Sequence, residues 1–291
     1  MKPAAFDYHA PGDADEAVAL LAELGDEARP IAGGQSLMPM LALRLALPEH
    51  LVDLGRAEGL RGIEERGDSV WIGATTTQRT IERSAAVARA VPLLARATPL
   101  IGHFQIRNRG TLGGSLAHAD AAAEYPAVAV ALDARFETLS PRGARTVPAT
   151  EFSTGVYSTD LEPDELLTGA VFPVWSGRCG FAIEEFTRRS GDFAVAGAAV
   201  AVELDAGSCV SRCGIGLFGL GSTPLRATAA EAAATGSPSG DVTPEDVGRT
   251  AMAELESVPA DLHASAGYRR HIGAAVVARA WHRAVQEAAH A

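Results

Sequence analysis

Ile31-Ala32-Gly33-Gly34-Gln35-Ser36-Leu37 and Arg109-Gly110-Thr111-Leu112-Gly113-Gly114-Ser115-Leu116 are two glycine-pair segments of one chain, and each leads into an apolar run. A glycine pair removes two Cβ atoms, so the backbone can take positive φ and approach a ligand closely. Successive peptide N–H groups then form a concave donor array suited to phosphate. A single Gly-Gly is ordinarily a tight turn. Two copies with matching chemistry point to the two halves of one cradle around a shared diphosphate.

The chain has 291 residues, long enough for two domains or more, and its 47% hydrophobic and 21% charged residues are those of a globular protein. The net charge of −11, without a basic block, argues against a nucleic-acid or anionic-membrane surface. Lys2 is the only lysine, so chemistry that needs a buried lysine is excluded. Cys179, Cys209 and Cys213 are too few for a four-thiolate zinc or iron–sulfur site, and the Cys209-x3-Cys213 pair, which could ligate half a metal site, reads instead as buried strand thiols. The first eleven residues lack the apolar core of a secretory signal, and no run approaches the ~20 apolar residues of a membrane span. A cytoplasmic protein is the expectation.

Asp13 and Glu16 have capping-box spacing, which predicts a helix with Val18, Leu21 and Leu24 inside and Gly25 at its end. A strand over Arg29–Ala32 enters the first glycine turn, Ser36 caps a buried segment to Leu45, and His50–Leu54 closes a small α/β lobe. Further strands are read at 69–73, 135–139 and 166–174, and helices at 92–101 and 121–132. Residues 102–110 read as a polar loop without regular periodicity. Beyond Ser176-Gly177, β-rich runs at 180–187, 193–204 and 209–220 surround a hairpin turn at Asp205-Ala206-Gly207. Helices at 227–234, 244–255 and 265–289 complete an α+β module. The expected units are 1–55, 56–176 and 177–291.

Gly214-Ile215-Gly216-Leu217-Phe218-Gly219 fits the dinucleotide pattern G-x-G-x-x-G, but no helix opens at its third glycine and no acidic residue follows at the required place. It reads instead as a glycine-rich strand. Asp120 and Glu124 offer acceptors for sugar or ribityl hydroxyls, and equally suit the start of the helix that follows. His103, His118 and His271 lack metal-ligand spacing, and Ser36 and Ser115 lack a nucleophile elbow.

Together these residues resemble the flavin-binding medium subunit of molybdenum hydroxylases of the carbon monoxide dehydrogenase type. Ala32-Gly33-Gly34-Gln35-Ser36-Leu37-Met38-Pro39-Met40 is similar to the family's first FAD signature and Arg107-Asn108-Arg109-Gly110-Thr111-Leu112-Gly113-Gly114-Ser115 to its second. Arg188-Arg189-Ser190-Gly191-Asp192-Phe193-Ala194 and Ser265-Ala266-Gly267-Tyr268-Arg269-Arg270 resemble motifs of its C-terminal domain. The resemblance implies an α+β fold: a two-lobed FAD domain of the vanillyl-alcohol-oxidase (PCMH) type, then a smaller α+β domain.

It further implies that Ala32, Gly33, Gly34, Gln35, Ser36 and Leu37, with Thr111, Gly113, Gly114 and Ser115, hold FAD. Asp120, Glu124, Tyr157 and Leu167 are further candidate contacts, and residues 103–108 would link the flavin to a partner surface. Ser115 stands where many relatives have Asn, Glu124 where many have Asp, and Ala121 where proline is frequent. A lysine that some relatives carry near the flavin is replaced by the Glu184-Glu185 region. The implied partners are a molybdopterin-containing large subunit and a two-cluster iron–sulfur small subunit, assembled as a dimer of heterotrimers. Rival readings are a stand-alone flavoenzyme of the same fold, with His103 as its only candidate for a covalent flavin link, and a non-catalytic nucleotide-binding protein.

Overall fold

The computed structural model describes residues 2–291. Three sheets of three or more strands divide the chain. The first is parallel, with order β1-β3-β2, from β1 (Asp7–His9), β2 (Ala28–Ile31) and β3 (His50–Asp53). Helix α1 (Ala14–Leu24) crosses between β1 and β2 and packs Ala17, Val18 and Leu21 inward. Asp13 caps it through the Glu16 N–H at 2.8 Å, and Gly25, at φ +58°, ends it.

Helix α2 (Leu37–Ala42) follows the first glycine turn and differs from the sequence expectation twice. Ser36 makes no side-chain cap bond, and of the apolar run beyond it only Leu41 is buried. Leu43, Leu45 and Leu47 are all exposed, Leu45 by 72%. The chain turns outward because Arg44 adopts the left-handed conformation at φ +57°, held by Leu45 N–H donating to the Met40 carbonyl at 2.9 Å.

The second sheet is antiparallel, with order β4-β5-β10-β6-β7. Its strands are β4 (Ile63–Arg66), β5 (Ser69–Gly73), β6 (Arg135–Ser140), β7 (Gly143–Pro148) and β10 (Leu166–Pro173). Between β5 and β6 lie α3 (Gln78–Arg83), α4 (Ala85–Ala90), α5 (Pro92–Ala97), α6 (Phe104–Arg107), α7 (Leu112–His118) and α8 (Glu124–Ala131). The polar 102–110 segment thus contains one short helix where no periodicity announced it. Between β7 and β10 come α9 (Ala149–Phe152) and a small hairpin of β8 (Ser153–Gly155) and β9 (Ser158–Thr159).

The third sheet orders as β11-β12-β13-β14, from β11 (Arg178–Phe186), β12 (Ala196–Leu204), β13 (Val210–Phe218) and β14 (Leu225–Arg226). Helices α10 (Thr228–Ala234), α11 (Pro244–Ala253) and α12 (Ala266–His290) cover one face, with Trp281 wholly buried against it. Helix α8 lies on the other face. The G-x-G-x-x-G run is strand β13, as its flanks required. A Cβ on Gly214 would overlap the Ala131 carbonyl oxygen, and one on Gly216 that of Ala127. These glycines let helix and sheet backbones touch.

Two charged junctions tie the third sheet to the second. Arg96 of α5 grips both carboxylate oxygens of Glu287 and the Phe181 carbonyl. Arg226 meets Asp133 and the Val130 carbonyl.

Candidate functional site

The two glycine segments meet. A Cβ on Gly33 would overlap the Arg109 carbonyl oxygen and lie 2.8 Å from the Gly110 Cα, while the Cβ of Ala32 is 3.8 Å from the place of a Cβ on Gly114. The first segment is open at the end of β2. Among the described residues, the N–H groups of Gly33, Gly34, Gln35 and Ser36 have no protein acceptor, and Gly34 takes φ +70°. This is the donor array expected of an anion cradle. Gln35 donates its side-chain amide to the Gly33 carbonyl at 3.1 Å, which steadies the turn.

The second segment is built differently from the expected turn. Thr111 is the N-cap of α7, and Gly113 and Gly114 are its first turn, neither with positive φ. Their N–H groups are already used, Gly113 on the Ala74 carbonyl at 2.8 Å and Gly114 on the Thr111 hydroxyl at 3.0 Å. Gly113 is glycine because a Cβ would come within 2.5 Å of that of Ala74. What this segment presents to the junction is the bare, exposed backbone at Gly114.

A cleft of about 410 Å³ opens at the junction, lined by Ile31 to Gln35, Met38, Pro39, Asp53 and Arg109. Arg109 lines the cleft, is exposed, and its guanidinium makes no ion pair among the described residues. Asp53 is not among the residues named from the sequence, and Arg109 is named there only as part of the second segment, not as a contact. The signal for Asp53 was its place at the end of a strand beside the glycine turn, and for Arg109 its place directly ahead of the second segment.

Beyond α7 the chain turns at Ala119, in the left-handed conformation at φ +51°. Asp120 accepts the Ala122 N–H at 2.9 Å and faces the Tyr157 hydroxyl at 3.4 Å. Tyr157 is at the tip of the β8–β9 hairpin at φ +53°, is 62% exposed, and stacks on His118 with ring centroids 5.0 Å apart. Burial depresses the His118 pKa against the pull of Asp120, which favours a neutral ring. Glu124 begins α8, only 7% exposed. Burial, reinforced by the charges of Glu185 and Asp120, pushes its carboxyl up to about 8, and burial alone brings Glu185 to about 7. Burial thus favours the protonated carboxyl at Glu124, a form that can donate as well as accept. Leu167 is buried in the second sheet's core, and the next residue's carbonyl accepts the Ala74 N–H at 2.9 Å.

The motif arginines of the last helix are architectural. Arg269 donates to the Val195 and Gly219 carbonyls and to Asp261, and Gly219 in turn donates its N–H to the Ala121 carbonyl at 2.8 Å. This chain of bonds connects α12 to the Asp120–Glu124 segment. Gly191, at φ +85°, lies against His103, so the Arg188–Ala194 motif packs on the approach to the second glycine segment. His103 is thereby a packing neighbour of the third unit. Cys213 is buried and Cys179 half-buried, and burial raises both thiols to about 11.

Comparison with known proteins agrees with this architecture. Residues 4–175 match the model of the FAD binding domain in molybdopterin dehydrogenase, and residues 181–284 that of the CO dehydrogenase flavoprotein C-terminal domain. The chain is 41% identical to the carbon monoxide dehydrogenase medium chain of Afipia carboxidovorans, over 98% of each chain. It is 40% identical to subunit alpha of the 6-hydroxypseudooxynicotine dehydrogenase complex of Paenarthrobacter nicotinovorans, over 99% of this chain and 97% of that one. The solved carbon monoxide dehydrogenase of Hydrogenophaga pseudoflava superposes with a TM-score of 0.95 at 41% identity, over 99% of both chains. With its two-lobed FAD domain and α+β C-terminal domain, the chain belongs to the FAD-binding medium subunits of molybdenum hydroxylases of the carbon monoxide dehydrogenase type, an oxidoreductase family.

Proposed function

We propose that the chain is the electron outlet of a cytoplasmic molybdenum hydroxylase, receiving electrons from iron–sulfur centres of a small partner subunit and passing them to an external acceptor. Substrate oxidation would occur on a molybdopterin-bearing large subunit, in a dimer of heterotrimers. The observation that carries this reading is the run of four peptide N–H groups without acceptors at Gly33–Ser36, beside the unpaired Arg109. It is a site for a diphosphate in a chain with too few thiols for a cluster of its own. FAD, when bound, supplies a carrier that takes electrons singly or in pairs.

In this reading the backbone from Ala32 to Leu37 holds the diphosphate and Arg109 balances its charge. Thr111, Gly113, Gly114 and Ser115 close the other side, chiefly by letting the ligand approach bare backbone. Asp120 and Glu124 take hydroxyls of the ribityl or ribose chain, Tyr157 lies toward the ring system, and Leu167 backs the site from the core. Residues 1–55, 56–176 and 177–291 are the corresponding structural units.

The 40% and 41% identities join dehydrogenases named for two unrelated substrates, so substrate choice is assigned to the large subunit. The experiment is reconstitution. The FAD-loaded chain, alone and with the large and small subunits, is offered carbon monoxide, an aldehyde, a purine and an N-heterocycle. Bleaching of the flavin by one of these only when both partners are present supports the proposal. Bleaching by substrate in the isolated chain would show a stand-alone flavoenzyme.

A further inference from the structure

The cleft contains an anionic group that the diphosphate reading does not use. Asp53 ends β3 and is in register with Ile31, the residue that leads β2 into the glycine turn. A carboxylate beside a phosphate cradle repels the phosphates, so its presence there calls for a neutral donor on the ligand. In parallel β-α-β nucleotide sites, an acidic residue at the end of the second strand, about 20 residues after the glycine turn, accepts ribose hydroxyls. Asp53 stands at that place relative to Gly33 although the chain has no G-x-G-x-x-G there.

The carboxylate is already oriented. The Tyr8 hydroxyl donates to its Oδ2 at 2.5 Å and the Gly55 N–H to its Oδ1 at 2.8 Å. A carboxylate offers about four acceptor positions, so about two stay open, and Asp53 makes no ion pair among the described residues. Tyr8 is an exposed aromatic whose hydroxyl is spent on this one contact.

We propose that Asp53, positioned by Tyr8, binds the ribose hydroxyls of the adenosine half of the dinucleotide. The inference rests on the FAD reading of the cleft. The competing role is purely local, as the cap of the turn at Leu54–Arg56, where Asp53 accepts the Gly55 N–H. Asp53→Asn keeps an oxygen for that cap while removing the charge.

The test uses the full chain stripped of flavin and follows FAD binding by fluorescence, with ADP and 2′,3′-dideoxy-ADP as competitors. Expected are an Asp53→Asn affinity for FAD lower by roughly ten- to hundred-fold, a smaller loss in Tyr8→Phe, and a wild type that prefers ADP to the dideoxy analogue. Equal competition by the two analogues in the wild type overturns the inference even if the variants fold poorly, as does unchanged FAD affinity in Asp53→Asn. Wild type that binds FAD but fails these arms removes only the role of Asp53. Wild type that takes no FAD removes the reading beneath it.

Discussion

Gly33 and Arg109 are in backbone contact across the junction of the two glycine segments, with no room for a Cβ between them. Gly33→Ala must therefore push the first segment away from the second. Overpacking of this kind costs about 1–3 kcal/mol, so thermal unfolding shifts down modestly while FAD affinity falls at least ten-fold. Both are read on one sample by a thermal melt and a flavin titration. Gly114→Val is a less specific variant, since its Cβ would sit 2.8 Å from the Thr111 hydroxyl and disturb the cap of α7.

Arg109 is the unpaired cation of the cleft, and its removal tests charge separately from shape. Arg109→Gln is expected to weaken FAD binding about ten-fold, with little change in the melting temperature. The wild-type affinity should fall with added salt and that of the variant much less, since exposed charge interactions are screened. Equal salt dependence in both proteins would place the guanidinium away from the diphosphate.

Glu124 and Glu185 predict a pH dependence of stability in the FAD-free chain. Burial is the first cause at both, and their folded pKa values, about 8 and about 7, lie above the unfolded carboxyl value. Groups raised in this way stabilise the fold fully below the unfolded pKa, about 4.3. That stability drains away as the pH rises through the folded values. Stability should thus decline between pH 5 and 8, and Glu124→Gln should flatten the decline. Each tenfold difference in proton affinity between folded and unfolded chain is worth roughly 1.4 kcal/mol. The Gln variant should therefore exceed the wild type at pH 8 by a few kcal/mol in urea unfolding. An unchanged slope would contradict the burial argument.

Arg269 is 6% exposed and holds two carbonyls and Asp261. Arg269→Met leaves those carbonyls without their donor and is expected to cost roughly 2–4 kcal/mol of stability. Because Gly219 links Arg269 to Ala121, hydrogen exchange should speed up at the Gly219 N–H in the variant. Loss of stability without that local change would separate the last helix from the 120–124 segment.

The sequence carried the fold wherever local chemistry and burial agreed. Asp13, Glu16 and Gly25 marked both ends of α1, and the lack of a helix after Gly219 identified β13 as a strand. The four motifs pointed to the family and to FAD. It failed where tertiary contact overrides local pattern. The apolar run from Leu37 to Leu45 reads as buried, but only Leu41 is, and the left-handed Arg44 turns Leu43 and Leu45 outward. The second glycine pair reads as an open turn, but Ala74 and Thr111 occupy its N–H groups. Asp53 was silent because a lone carboxylate after an apolar strand gains meaning only when the neighbouring strand is known.

Equilibrium titration of the flavin-free full chain with FAD and with FMN tests most directly whether the cleft where Gly33 meets Arg109 holds FAD. One FAD should bind per chain, with FMN binding far more weakly because it lacks the diphosphate and adenosine, and Gly33→Ala should lose FAD binding. Equal affinity for FAD and FMN, or full FAD binding in Gly33→Ala, would contradict that assignment.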